Sequence, residues 1–130
     1  MKEELRKVRE FHDAFGLKDK MLDNPSQISE EDWQLRFSLM EEENAEYLEA
    51  CSKDDIVEIA DALGDQLYIL CGTILAHGMG DIIVNIFNEI HRSNMSKLDE
   101  NGNPIYREDG KIMKGSNYFK PNFKNILDIK

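Results

Sequence analysis

Two pairs of acidic residues on consecutive helical segments constrain most strongly what this chain can fold into. Glu43 and Glu46 form the first pair, and Glu58 and Asp61 form the second. Residues three apart on a helix lie on the same face, so each pair presents two carboxylates on one side. The same helical stripes otherwise carry apolar or small residues, namely Leu35, Leu39 and Ala50 in the first segment and Ile69, Gly72 and Ala76 in the second. The pattern therefore predicts two helices whose acid-bearing faces pack against another part of the protein.

The neighbours of these acids indicate that the carboxylates point inward. A solvated acidic face would continue into Lys, Gln and Ser, whereas both stripes continue into apolar residues. Several inward carboxylates cannot all stay ionised without a cation between them. A set of carboxylates without Cys or His favours a hard divalent cation, Mg²⁺ or alternatively Mn²⁺. A di-iron bundle site is disfavoured, because it uses Glu-x-x-His pairs and no Glu here has His three positions later.

Helical periodicity predicts an all-α fold with four main helices. Their expected ranges are about 3–15, 29–51, 54–76 and 81–93. The third is apolar nearly all round apart from its acids, which predicts a central helix covered on several sides. Gly64 and Gly72 within it are expected to permit close packing. Beyond residue 95 the sequence predicts loops and a small hairpin around Asp109-Gly110.

The length and charge of the chain limit its organisation and its partners. With 130 residues, a single domain over 1–130 is expected, with a helical core at 1–94 and a loop, hairpin and tail at 95–130. The net charge of −10 argues against binding to nucleic acid polymers or membrane surfaces, but it does not exclude a nucleotide bound through metal ions. The first residues contain no apolar signal region, so a cytoplasmic location is expected.

The spacing of the acid pairs also carries a family resemblance. Glu43-x-x-Glu46, then eleven residues, then Glu58-x-x-Asp61 resembles the all-α nucleoside triphosphate pyrophosphohydrolase superfamily. This superfamily includes the MazG-like, dimeric dUTPase-like and phosphoribosyl-ATP pyrophosphohydrolase proteins. The similarity extends to residues 8–16 and to residues 58–72. It implies a four-helix MazG-like bundle, with the hairpin as a C-terminal appendage. Because the third helix is too apolar for one small monomer to cover, we expect the bundle to be completed by oligomerisation, as a homodimer or homotetramer.

The resemblance implies roles for the acids and a reaction. Glu43, Glu46, Glu58 and Asp61 would hold Mg²⁺, and Glu42 would activate the attacking water, although Glu41 is also available. The implied reaction is Mg²⁺-dependent cleavage of a (deoxy)nucleoside triphosphate between its α and β phosphates, giving a monophosphate and pyrophosphate. Such an enzyme would clear non-canonical or pyrimidine nucleotides. The alternatives are a phosphoribosyl-ATP pyrophosphohydrolase and a non-catalytic acidic helical module that binds a metal or a partner.

Several further residues are candidates for contact with the substrate. Asp65 lies one turn beyond Asp61 and is expected to be an outer metal ligand or to contact the sugar. The resemblance suggests that Asn94 and Lys97 meet nucleotide or phosphate oxygens, although a polar helix C-terminus also explains them. Lys114 and Tyr118 are candidates for a lid over the phosphates, against an ordinary basic loop.

A group of aromatic residues is the candidate for stacking against the base. Phe11 and His12 are the substrate-binding candidates in this group, and Phe15 and Trp33 accompany them. The alternative is that these side chains, which recur at helical spacing, belong to the core.

Overall fold

The computed structural model describes residues 1–128 and confirms an all-α fold. Its helices are α1 (Lys2–Ala14), α2 (Glu30–Ser52), α3 (Ile56–Ala76) and α4 (Ile83–Met95), with a 3₁₀ turn at Lys18–Lys20. Strands β1 (Ile105–Tyr106) and β2 (Ile112–Met113) pair antiparallel in the predicted hairpin. The chain divides into two compact units, Met1–Asp81 and Ile82–Lys130. The expectation of one domain over 1–130 stays a prediction, and its last two residues lie outside the described part.

Polar residues cap the two helices of the α2–α3 hairpin and form the turn between them. The Ser29 side chain accepts a hydrogen bond from the Asp32 amide at 3.2 Å and caps α2. Asp54, with φ of 52°, ends α2 in a left-handed conformation. The Asp55 carboxylate accepts from the amides of Val57 and Glu58 and caps α3. Three residues therefore suffice to reverse the chain, which forces α2 and α3 to run antiparallel.

Contacts along the hairpin fix its register. Arg36 near the start of α2 bonds to Ile69 and Thr73 late in α3, at 2.8 and 3.0 Å. Further along α2, Asn44 accepts a bond of 3.1 Å from Gln66, which lies earlier in α3. This register sets which acids of the two helices meet.

Helix α1 and the connector after it cover the C-terminal half of α3. The buried face of α1 consists of Leu5, Val8 and His12. The connector is held by backbone bonds from the amide of Leu22 to the carbonyl of Leu75 and from the amide of Ser26 to the carbonyl of His77. The small apolar core of the first unit consists of buried residues from α1, α2 and α3, namely Leu5, Val8, Ala50, Ala62, Cys71, Leu75 and Ala76.

The two glycines of α3 behave differently. A Cβ on Gly72 would lie 2.5 Å from a guanidinium nitrogen of Arg36 and 3.2 Å from Cε1 of His12, so Gly72 does permit close packing. No atom of the described chain lies within 4 Å of a Cβ built on Gly64. The expectation was therefore wrong for Gly64 within the first unit, where no residue of α1 or α2 packs against its side of α3.

A large part of α3 is exposed, in contrast to the expected central position. Ile56, Leu63, Leu67 and Leu70 are all between 43% and 74% exposed. By length and hydropathy alone α3 could also cross a membrane, a test that core helices of soluble proteins pass as well. Asp61 and Asp65 would be costly within lipid.

In the second unit the segment after the hairpin is bonded to α4. The buried Ser93 hydroxyl donates to the Phe119 carbonyl at 2.8 Å, and the Phe119 amide donates to the Ser96 hydroxyl at 3.2 Å. The Arg92 guanidinium lies 4.2 Å from the centre of the Phe119 ring. These contacts order residues 115–122 without regular secondary structure.

Candidate metal centre

Three carboxylates converge between α2 and α3. Glu43, Glu46 and Asp65 each place an oxygen within 4.8 Å of the other two. Glu43 and Asp65 are half-buried, and Glu46 is exposed. Among residues 1–128, no lysine or arginine forms an ion pair with any of the three. We call these three residues the acid cluster.

Glu43 has the most unfavourable surroundings for a carboxylate. Burial, followed by the charges of Glu46 and Asp65, raises its pKa to about 6 from 4.5. In the described chain its Oε2 atom is buried and has no hydrogen-bond partner. A divalent cation would relieve both conditions, since it supplies positive charge and a ligand position for that oxygen. The residues present therefore fit a hard cation bound by oxygen.

The two acids of the second predicted pair lie next to the acid cluster. Glu58 and Asp61 are exposed and line a depression of about 470 Å³ together with Glu46. Ala62, which is 2% exposed, occupies the position of α3 that faces α2. Its neighbour Asp61 therefore lies at the edge of the contact between the two helices. The structure thus places Asp65 opposite Glu43, whereas the family resemblance assigns Glu58 and Asp61, in the first turns of α3, as the ligands.

The inward orientation expected for all four acids is found only for Glu43. Glu46, Glu58 and Asp61 are exposed, because α2 and α3 alone leave one side of the hairpin open. Leu35, expected on the inward stripe of α2, is 55% exposed, and the half-buried Arg36 takes its place. Whether Glu58 and Asp61 join Glu43 and Glu46 as ligands stays a prediction. Glu42, the predicted base, lies exposed beside Glu43.

The aromatic candidates lie in the first unit. His12 is buried in α1, whereas Phe11 is 40% exposed and stacks on Phe15 with ring centres 4.4 Å apart. Phe11 also meets the edge of Tyr68 at 5.8 Å. Trp33 is 39% exposed at the start of α2. A stacking surface therefore exists at Phe11 and Phe15, while His12 belongs to a pocket beneath it.

The remaining candidates lie in the second unit. Asn94 is exposed on α4, and the carbonyl of Lys97 accepts the Gly115 amide at 2.9 Å. The Lys114 ammonium lies 4.7 Å from the centre of the half-buried Tyr118 ring. Their contact with a substrate stays a prediction.

Sequence reasoning missed one polar residue of the first unit, Arg36. It lies seven residues before Glu43, so both occupy the same face of α2. The position of this arginine on the inward face of α2 could have identified it. Leu35, the preceding residue, was assigned to that face instead.

The fold and the acid cluster together define a class of protein, an all-α domain with a carboxylate site suited to a divalent cation. A model of the phosphoribosyl-ATP pyrophosphohydrolase family matches residues 8–94, which include both acid pairs and Asp65. The chain belongs to this family, whose activity is that of a nucleotide pyrophosphohydrolase.

A curated relative extends the similarity over most of the chain. It is an uncharacterized protein of Acanthamoeba polyphaga mimivirus, 27% identical over 129 residues. The alignment covers 94% of this chain and 45% of the relative, so the chain spans less than half of the viral protein's length.

Proposed function

We propose that the protein is a Mg²⁺-dependent hydrolase that cleaves a (deoxy)nucleoside triphosphate between its α and β phosphates. The convergence of Glu43, Glu46 and Asp65, with a buried Glu43 oxygen that has no hydrogen-bond partner in the described part of the chain, carries this proposal. Membership in a pyrophosphohydrolase family supports the reaction class. Clearance of non-canonical or pyrimidine nucleotides in the cytoplasm is the cellular role that we propose, without nucleic acid polymers or membranes as partners.

Each acid has a role in the proposed site. Glu43, Glu46 and Asp65 would hold Mg²⁺, or Mn²⁺ in its place, and Glu58 and Asp61 would extend the ligand set from the adjacent depression. When bound, the ion would neutralise the phosphate chain and stabilise the leaving pyrophosphate. Carboxylates without Cys or His suit such hard cations.

Glu42 would act as the general base of the proposed reaction. Its carboxylate is exposed and is not needed in the acid cluster, so it is free to accept a proton. The water oxygen forms a bond to the α-phosphorus as its proton passes to Glu42. The bond from that phosphorus to the bridging oxygen breaks, and pyrophosphate leaves with the electron pair. Glu41 is the alternative base, and separate Glu41→Gln and Glu42→Gln variants distinguish them.

Product analysis tests the reaction. The purified protein is incubated with Mg²⁺ and a panel of canonical and modified triphosphates, and pyrophosphate and orthophosphate are measured separately. We expect a monophosphate and pyrophosphate, and loss of turnover by at least about 100-fold with EDTA or in Glu46→Ala. Glu31→Ala, an exposed acid in the first turn of the same helix, is the matched control. Orthophosphate as the first product would contradict attack at the α-phosphorus.

A second candidate is hydrolysis of phosphoribosyl-ATP, favoured by the family that matches residues 8–94. The same assay with this substrate distinguishes the two activities. A protein that binds Mg²⁺ but turns over neither substrate would instead be a non-catalytic metal-binding or partner-binding module.

A further inference from the structure

A second pocket lies in the first unit, between α1, the connector and the α2–α3 hairpin. It measures about 100 Å³, and Leu17, Ile28 and Ala76 contribute apolar walls. His12 and Arg36 are among its polar residues, and Lys20 lies beside it in an ion pair with Asp32 at 3.1 Å. A mostly apolar pocket with a few fixed polar groups is the usual form of a site for a small organic ring.

Arg36 brings unused hydrogen-bond donors to this pocket. Its Nε donates to the Thr73 hydroxyl at 3.0 Å, and one terminal nitrogen donates to the Ile69 carbonyl at 2.8 Å. A guanidinium has five N–H donors, so these two bonds fix its plane and leave others free. Within residues 1–128, no carboxylate lies within ion-pairing distance of Arg36. The pocket therefore holds a partly buried cation with two neutral acceptors and, among the described residues, no carboxylate partner.

His12 adds a second unsatisfied group. The residue is 8% exposed, and its Nδ1 atom is buried without a hydrogen-bond partner among the described residues. Burial, together with the charge of Arg36, lowers the pKa of the imidazole, so the ring is neutral near pH 7 and Nδ1 can either donate or accept. Buried polar atoms in folded proteins nearly always have partners, so a water or a ligand atom is expected at Nδ1 of His12.

The size and position of the pocket indicate which part of a ligand it binds. A cavity of about 150 Å³ holds benzene in another protein, so a pocket of about 100 Å³ with an open side fits one six-membered ring. Arg36 lies seven residues before Glu43, and Gly72 lies seven residues after Asp65. Each separation is about two helical turns, or about 10 Å along the helix axes. The acid cluster and the pocket therefore lie along the same faces of α2 and α3, about two helical turns apart.

We propose that this pocket binds the base of the substrate, and that the guanidinium of Arg36 selects uracil over cytosine. Uracil carries a carbonyl at the position where cytosine carries an amino group. This proposal rests on the proposed function for the identity of the ligand. Arg36 can only donate, so it bonds the O4 carbonyl of uracil and meets the amino group of cytosine as donor against donor. His12 Nδ1 accepts the adjacent N3–H of uracil in the tautomer that carries its proton on Nε2.

Nucleosides without phosphate test the pocket independently of metal and catalysis. Metal-free protein is titrated with 2′-deoxyuridine and 2′-deoxycytidine, and the ring signals of His12 are followed by NMR. We expect the His12 signals to shift with 2′-deoxyuridine, at a dissociation constant about ten-fold or more below that for 2′-deoxycytidine. Equal affinities, a preference for cytidine, or no shift with either nucleoside would overturn the proposal.

Variants assign the preference to Arg36. Arg36→Met retains the aliphatic stem but removes the donors, and we expect it to abolish the preference for 2′-deoxyuridine. Arg6→Met, which removes an exposed arginine paired with Glu3 on α1, is the matched control and should retain it. If Arg36→Met fails to fold, Gly72→Ala serves instead, because its added methyl group would displace the guanidinium. Retention of the preference in a folded Arg36→Met protein would overturn the assignment.

Kinetics separate a failure of this inference from a failure of the proposed function. In an active enzyme, Arg36→Met should raise KM for dUTP with little change in kcat, whereas Glu46→Ala should lose kcat. Turnover without a preference for dUTP over dCTP would overturn the inference alone. Selective binding of 2′-deoxyuridine by a protein that hydrolyses no nucleotide would overturn the proposed function alone.

Discussion

Glu43 and His12 each have a buried atom without a hydrogen-bond partner among residues 1–128, and they should give the stability of the metal-free protein two opposite dependences on pH. The pKa of Glu43 is raised to about 6, so its folded form retains a proton that the unfolded chain releases near 4.5. The contribution of Glu43 to the free energy of unfolding is therefore lost as the pH rises from about 4.5 to 6. The pKa of His12 is lowered from 6.5, so the unfolded chain binds its proton first and stability is lost as the pH falls below 6.5.

Chemical denaturation between pH 4 and 8 in EDTA measures both effects. Glu43→Gln should remove the loss of stability with rising pH, which we expect to be about 1 kcal/mol after allowance for solvent screening. His12→Gln should remove the loss below pH 6.5 and leave the Glu43 effect in place. Identical pH profiles in the wild type and both variants would contradict this assignment of the unsatisfied atoms.

The individual acids were only partly predictable from the sequence. Spacing identified Glu43 and Glu46, because residues three apart share a helical face. It could not decide between Asp61 and Asp65, since both fall on one broad stripe and only the register of the hairpin selects the residue opposite Glu43. Arg36 was missed because arginine is ordinarily assigned to solvent.

At the scale of helices and connectors, two glycines with nearly equal backbone conformations should respond differently to the same substitution. Gly16 ends α1 with φ of 75°, and Gly78 ends α3 with φ of 71°. A Cβ on Gly16 meets no atom within 4 Å, whereas a Cβ on Gly78 would lie 2.0 Å from the carbonyl oxygen of Asn24. The first change costs conformational energy alone, and the second must also move the backbone of the connector.

We expect Gly16→Ala to lower the free energy of unfolding by about 1 kcal/mol. Gly78→Ala should lower it by at least about 2 kcal/mol, because backbone displacement adds to the same conformational cost. Urea denaturation with an unchanged m-value measures both. Equal losses would show that the connector at Asn24 moves away without cost.

Element boundaries were more predictable than contacts between elements. Ser29 is the N-cap of α2, and Gly16 and Gly78 each directly follow the C-cap residue of α1 and α3, as their local chemistry favours. The close approach of Asn24 to Gly78 depends on how a connector without periodicity folds back, and no local pattern reports it. The C-terminal hairpin was predictable for the same reason as the caps, since Gly110 adopts φ of 85° in its turn.

At the scale of the whole molecule, α3 carries an exposed apolar stripe that a second copy of the chain would cover. Ile56, Leu63, Leu67 and Leu70 recur at intervals of seven, four and three residues, which places them on one helical face. All four are more than two fifths exposed, and the open side of Gly64 lies on the same helix. Exposed apolar stripes of this length are typical of protein interfaces. We therefore propose a homodimer or homotetramer in which α3 is covered by a partner subunit.

Sedimentation velocity over a range of concentrations tests this assembly. We expect the wild type to sediment as a dimer or tetramer, and Leu67→Lys to shift it towards monomer, because a buried lysine without a partner charge opposes association. The variant should stay folded, since Leu67 is 43% exposed in the isolated chain. Ile112→Lys, which changes an exposed side chain of the C-terminal hairpin, is the control and should leave the assembly intact. A wild type that stays monomeric at every concentration would contradict the proposal, and an assembly unaffected by Leu67→Lys would place the interface on another face.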